Sequence, residues 1–190
     1  MYCLTYTSRR GSLLKSFKIL VTGPFNSGKT TLVKTLCELS MTTERPLTRE
    51  EERRKKSSTT VGMDFGVVDL GDGYYVRLFG TPGQRRFSFI WHILAKSMNG
   101  YILMVDSSDE SSILEAQEIL NEFRTFYPKT PFIIAANKQD IEGALPPEDL
   151  KFAMSLGDEV TIVPSIAKDH ESAWVVLRTL LEAIIEKAQI

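Results

Sequence analysis

The sequence predicts an α/β fold built on a mostly parallel sheet with helices on both faces, and three observations predict it. Continuous apolar runs alternate along the chain with apolar residues at helical spacing. Two of the runs, YILMVD (101–106) and PFIIAAN (131–137), show no polar alternation, as strands covered on both faces should. Only one connection, Gly71-Asp72-Gly73, has the chemistry of a hairpin turn. The expectation is therefore six strands, one of them antiparallel, and about five helices in three layers.

The elements follow in order. FKILV (17–21) is a short buried strand that runs through a glycine-rich turn into a helix from about Lys29 to Leu39. Residues 41–60, MTTERPLTREEERRKKSSTT, have almost nothing to bury. Within them Glu50, Glu51 and Glu52 precede Arg54, Lys55 and Lys56 at i,i+4, and Thr48 with Glu51 fits a capping box. The plain reading is a solvated extension of the first helix. MDFGVVDL (63–70) and YYVRLF (74–79) form the hairpin, and Trp91 falls in a second helical pattern. YILMVD and PFIIAAN flank a helix over 111–126, carried by Ile113, Leu114, Ile119, Leu120 and Phe123. Pro146-Pro147 opens a shorter helix reaching about Leu156. VTIVP (160–164) is a last strand, and residues 170–187 close the chain as an amphipathic helix.

The bulk properties narrow the function classes. At 190 residues the chain is read as one domain, 17–190, behind an N-terminal extension, 1–16. A net charge of −1 gives no electrostatic footprint for nucleic acid. Cys3 and Cys37 have no metal spacing and are too few for a disulfide framework, so a reduced, cytoplasmic setting is expected, with Cys37 packed in the core. No apolar run reaches the roughly 18 residues of a membrane span. Tyr2 stands where myristoylation needs glycine, the first residues lack a signal-peptide core, and EKAQI has no cysteine to prenylate. No intrinsic membrane anchor is expected.

Two motifs carry chemistry. GPFNSGKT (23–30) matches G-x-x-x-x-G-K-[ST] directly after a strand and at the start of a helix. Gly23 and Gly28 permit the bends, while backbone N–H groups along Asn26, Ser27 and the helix start, with Thr31 beyond, would surround phosphate oxygens. Lys29 would reach the outer phosphates and the Thr30 hydroxyl a magnesium ion. NKQD (137–140) leaves the carboxyl end of a parallel strand, where α/β sheets bind ligands. The Asp140 carboxylate can accept from the N1–H and exocyclic amine of guanine, whereas adenine presents a lone pair there. Asn137 would tie this loop to the phosphate loop, and the Lys138 stem would lie over the base.

Together with Thr60 and Gly83-Gln84, these motifs resemble the Ras-like small GTPases over residues 17–187. The resemblance implies the three-layer P-loop NTPase fold, with GTP and GDP as substrate and product and Mg2+ as cofactor. TVGMDFG, starting at Thr60, is similar to a Rab-type switch I, whose threonine ligates magnesium and senses the γ-phosphate. Gly83 would donate its N–H to that phosphate, and Gln84 would orient the attacking water. SIAKD (165–169) resembles the family's SAK motif, implying that the Ala167 N–H meets the guanine O6 and Lys168 packs over the loop. Catalytic roles fall to Gln84, Lys29 and Thr60, and metal ligation to Thr30 and Thr60. FGTPGQ followed by RRF and Trp91 is similar to the bacterial and archaeal gliding-motility-type GTPases, which implies a roadblock-type partner protein.

Three departures stand out. Gly80 occupies the place of an aspartate that holds a magnesium-bound water, a loss expected to weaken magnesium affinity. Asp106 ends a strand near the nucleotide edge, but similar acids occur there in family members that keep that aspartate, so it is not taken as the replacement. With that account, Gly80→Asp is expected to tighten magnesium binding. Phe25 is bulkier than the glycine common in Ras proteins. The segment between Thr30 and Thr60 is long, and Arg45, Arg49, Arg53 or Arg54 could supply an internal arginine finger. It is also expected to be mobile with GDP. His92, His170, Trp91 and Trp174 are read as packing or surface residues, and Arg85 and Arg86 as partner-contacting or solvated.

The function expected is a molecular switch that hydrolyses GTP slowly until a partner assists. The alternatives are a GTP/GDP-binding scaffold with little turnover and, less compatible with NKQD, a P-loop ATPase or small-molecule kinase.

Overall fold

The computed structural model describes residues 16–37, 40–41, 44–46, 58–60 and 63–189. The N-terminal extension, most of the charged segment with its capping box, and three of the four finger candidates (Arg49, Arg53 and Arg54) lie outside them.

Strand β1 (Ser16–Thr22) is the centre of the sheet. It pairs in parallel with β6 (Tyr74–Gly80) on one side and β7 (Gly100–Asp106) on the other. Beyond β7 lie β8 (Phe132–Asn137) and β9 (Ile162–Ser165), both parallel. Beyond β6 lies β5 (Asp64–Gly71), the antiparallel partner in the hairpin. These are the six strands expected. A two-residue strand, β2 (Ser40–Met41), extends the edge beyond β5 and makes the sheet seven-stranded.

Helix α1 (Lys29–Leu36) stops earlier than the sequence suggests, because Cys37 turns extended (φ −115°, ψ 126°) and packs its thiol against Gly66. The reading of residues 41–60 as a continuation of this helix fails at its ends: β3 (Glu44–Pro46) and β4 (Ser58–Thr60) pair antiparallel as a separate ribbon. Helical propensity within 48–56 is the signal behind that reading, while the flanking residues satisfy their backbone groups by pairing with each other.

The other helices are α2 (Ser88–Ala95), entered through a 3₁₀ turn at Arg85–Phe87, α3 (Glu110–Phe126), α4 (Pro147–Ala153) and α5 (His170–Ala188). Asp109 and Asp169 cap α3 and α5 by accepting from the amides of Ser111 and Ser172. Pro147 opens α4 with its φ preset. One core joins α1 and α5 to one face of the sheet through Ile19, Val21, Leu32, Val33, Leu177 and Leu180. The other joins α2, α3 and α4 to the opposite face through Leu20, Trp91, Ile119, Phe123 and Leu150. β7 is buried along its whole length between the two, which is why it reads as an unbroken apolar run. Among the described residues no helix is long and apolar enough to cross a membrane.

Candidate functional site

Four loops meet at the carboxyl ends of the parallel strands: those after β1 and β8, a third after β6 and a fourth after β9. The loop after β1 turns on Gly23 (φ 140°) and Gly28 (φ 103°), and Asn26 also takes a left-handed conformation (φ 63°). A side chain at Gly23 would run into the Met104 carbonyl, and one at Gly28 into the Asn137 amide, so both positions are restricted by backbone angle and by space. No side chain caps α1, and the start of a helix is a place where anions bind. Lys29 is buried and lies across the loop, donating to the carbonyls of Gly23 (2.9 Å) and Pro24 (2.5 Å). Ser27 is buried beside it, its hydroxyl 3.4 Å from the Lys29 ammonium.

Asn137 joins this loop to the two loops on its far side. Its Nδ2 donates to the Ser27 carbonyl (2.8 Å), and its Oδ1 accepts from the Ala167 amide (2.8 Å). The amide expected to face a base oxygen is thus engaged by Asn137. Lys138 takes a left-handed backbone (φ 68°) and pairs with Asp106, whose carboxylate also accepts from the amide and hydroxyl of Ser108. Lys168 donates to Asp140 Oδ2 at 2.6 Å, which holds the Asp140 carboxyl below the usual carboxylate range. Asn26, Gly28, Thr31, Asn137, Lys138, Asp140, Ala167 and Lys168 line one cleft of about 200 Å³. Eight of the residues singled out from sequence therefore converge.

The third loop, Thr81-Pro82-Gly83-Gln84, is closed onto the first. Thr81 donates its amide to the Val21 carbonyl (2.9 Å) and its hydroxyl to Thr22 (3.2 Å). A Cβ at Gly83 would stand 2.8 Å from both Lys29 Nζ and Phe25 Cα, so the chains touch backbone to backbone. Gln84 is buried, its Oε1 accepting from Arg86 at 2.6 Å, while Nε2 is buried with no hydrogen-bond partner among the described residues. Such a group needs a reason, and the Gln84 amide is held ready to donate. Thr60 pairs by its backbone with Glu44 on the β3–β4 ribbon; its side chain lies outside the described residues.

Thr30, the residue expected to meet a metal, donates its hydroxyl to Asp64 Oδ2 at 2.7 Å. These are hard oxygen groups of the kind magnesium takes. No group of three or more His, Cys, Asp or Glu that could hold a metal occurs among the described residues, so most ligands would come from phosphate oxygens and water.

Sequence reasoning passes over three residues. Asp64 is hidden in a strand, although an acid on the buried face of MDFGVVDL is a legible anomaly. Trp91 reads as packing from sequence; it is fully buried, and its indole also donates to the Pro82 carbonyl (2.8 Å), anchoring the third loop. Arg86 reads as solvated or partner-facing, yet it holds Gln84, while Arg85 pairs with Glu118 on α3. Asp106, not taken from sequence as the metal's replacement carboxylate, is committed to Lys138 and Ser108. His92 bridges Tyr127 and Glu122, and His170 stacks edge-on against Trp174, both away from the site.

The model of the ADP-ribosylation factor family matches residues 4–183. The human ADP-ribosylation factor-related protein 1 is 31% identical over 144 residues, covering 72% of this chain and 66% of that protein. ADP-ribosylation factor-like protein 3 of Chlamydomonas reinhardtii is 30% identical over 142 residues, covering 73% of this chain and 72% of that one. The match to the human protein and its mammalian counterparts spans just under two thirds of their length. Among solved structures, the Arl6 BBS3 small GTPase of Trypanosoma brucei, with bound nucleotide analogue GppNp, superposes with a TM-score of 0.65. That match covers 90% of this chain and 99% of the other at 22% identity, which speaks for the fold.

Proposed function

The chain belongs to the ADP-ribosylation factor family, and on that premise we propose that it is a GTP/GDP switch that binds guanine nucleotide with magnesium and hydrolyses GTP. The observation that carries this reading is the seat of Gly83 against Lys29 and Phe25. It puts an amide donor and the Gln84 side chain beside the lysine that reaches the outer phosphates, where loss of a γ-phosphate changes local contacts.

Asp140 recognises the guanine edge, Lys138 and Lys168 flank it, and Asn137 holds base loop and phosphate loop in one frame. Lys29 leaves the Gly23 and Pro24 carbonyls for the phosphates when nucleotide binds. Magnesium, when bound, neutralises charge on the β- and γ-phosphates, and Thr30 and Thr60 would hold it. Gln84 orients a water for in-line attack once Arg86 yields its Oε1. Hydrolysis alone is slow, because Lys29 is the cationic group that the described residues bring to the transferring phosphate, and a second one has to come from a partner.

The subgroup likeness belongs to this proposal: Gly80 and the TPGQ loop support a gliding-motility-type switch read by a roadblock-type partner at 81–87. We propose further that the switch domain spans 17–190 and that the setting is cytoplasmic.

Single-turnover hydrolysis with excess magnesium tests the reading, with Gln84→Ala beside the wild type. Turnover that falls by roughly 10²-fold or more in the variant is expected. Tight GTP binding with no turnover in the wild type, with or without a roadblock partner, would leave the non-hydrolysing scaffold as the correct reading.

A further inference from the structure

On the GTP-hydrolysing reading above, we propose that Arg86 is a positioning residue that sets the basal rate. It holds the Gln84 carboxamide in the orientation that cannot align a water, and so restrains hydrolysis until the guanidinium is drawn away.

The orientation of Gln84 follows from the chemistry of its neighbour. A guanidinium carries five N–H donors and no acceptor, so only the oxygen of a carboxamide can face it. Arg86 Nη2 stands 2.6 Å from Gln84 Oε1, as short as hydrogen bonds from a charged donor are. The other end of the carboxamide, Nε2, is the end left buried without a hydrogen-bond partner among the described residues. Gln84 as a whole is 7% exposed, whereas Arg86 is a surface residue. A buried group of the site is thus tied to the surface two positions further on.

Local structure keeps the two side chains together. Residues Arg85–Phe87 form a 3₁₀ turn, closed by the Phe87 amide donating to the Gln84 carbonyl at 2.9 Å. The Arg86 guanidinium also lies over the Phe87 ring, 5.1 Å from its centroid, a cation–π contact that steadies it. Arg85 turns instead to Glu118 on α3 and leaves the glutamine to its neighbour.

The consequence falls on one step. To orient an attacking water, Gln84 has to accept a hydrogen bond from it through Oε1. Arg86 occupies that oxygen, and the buried end of the side chain offers a donor. A donor aimed at the water would engage the lone pair that has to attack phosphorus. A phosphate oxygen, in contrast, can accept from Nε2. GTP binding is therefore compatible with the Arg86 contact, and the chemical step is not.

Single-turnover hydrolysis of GTP at saturating magnesium tests this in the wild type, Arg86→Ala, Arg86→Lys, Gln84→Ala and the double variant Arg86→Ala/Gln84→Ala. GTP affinity is measured beside each rate, and circular dichroism melts confirm the folded state. Side-chain amide NMR of Gln84 follows the contact itself. Arg86→Ala should raise the first-order rate by about 10-fold, the scale of one hydrogen bond to a charged group. GTP affinity should stay unchanged, and the Gln84 NH2 group should become more mobile. Arg86→Lys, which keeps a charged donor, should fall between the wild type and Arg86→Ala. The gain should vanish in the double variant, because it acts through Gln84. A rate in Arg86→Ala equal to or below the wild type, or the same gain without Gln84, would overturn the proposal. Absence of turnover in every variant, Arg86→Ala included, would instead overturn the hydrolysis reading beneath it.

Discussion

At the scale of residues, the base-side loops work by paired charge. Asp140 is exposed, and the Lys168 hydrogen bond holds its carboxyl below the ordinary value of 3.8. A depressed carboxylate pKa means that the ion pair is fully present above the ordinary value and is lost as pH falls through the folded one. Lys168→Ala should raise the Asp140 midpoint toward 3.8 in a carboxyl NMR titration; coincident midpoints would remove the pair from the account. Gly80 illustrates a different residue-scale lesson. From sequence, an aspartate placed there is expected to tighten magnesium binding, but it would collide with Asp64, so the expectation reverses while Asp64 is present.

At the scale of elements, the third loop is held between β1 and α2. Thr81 fastens its start to Val21, and Trp91 reaches back from α2 to the Pro82 carbonyl. The loop therefore has a fixed first half, and Gly83-Gln84 sit just beyond it. Trp91→Phe removes this hydrogen bond and leaves a void in the core beside Phe123. It should cost about 2–3 kcal/mol in denaturant unfolding. Hydrogen exchange at 81–84 should accelerate as well; exchange confined to wild-type rates would mean that the indole only packs.

At the scale of the whole molecule, ligand binding and stability are coupled through Asn137, which ties loops separated by 110 residues in sequence. A nucleotide bound across those loops stabilises only the folded state. Guanosine diphosphate with magnesium at about 100 times its Kd should add ~2.7 kcal/mol, or roughly 5–11 °C in Tm for a chain of this size. Adenosine diphosphate at the same concentration should leave the melting curve unmoved, and an equal rise with both would contradict the Asp140 reading.

The same three scales separate what the sequence determined from what the tertiary structure decided. The phosphate loop, the NKQD loop and the order of strands were legible because their chemistry is local: glycines at required bends, a lysine after them, unbroken apolar runs for strands covered on both faces. The roles of Asp64, Arg86 and Trp91 were not legible, because each depends on how the loops and strands pack in space. Asp64 is the sharpest case. The hairpin pairing shifts by one residue between Asp69 and Gly71, and that bulge sets Asp64 opposite Gly80. A ladder without the bulge would turn the whole buried set of β5 to the other face, the acid with it. Sequence alone thus declared a phosphate loop that lacked its usual acid. The register of one hairpin, a property of packing that no local pattern encodes, decided which residue stands opposite Gly80.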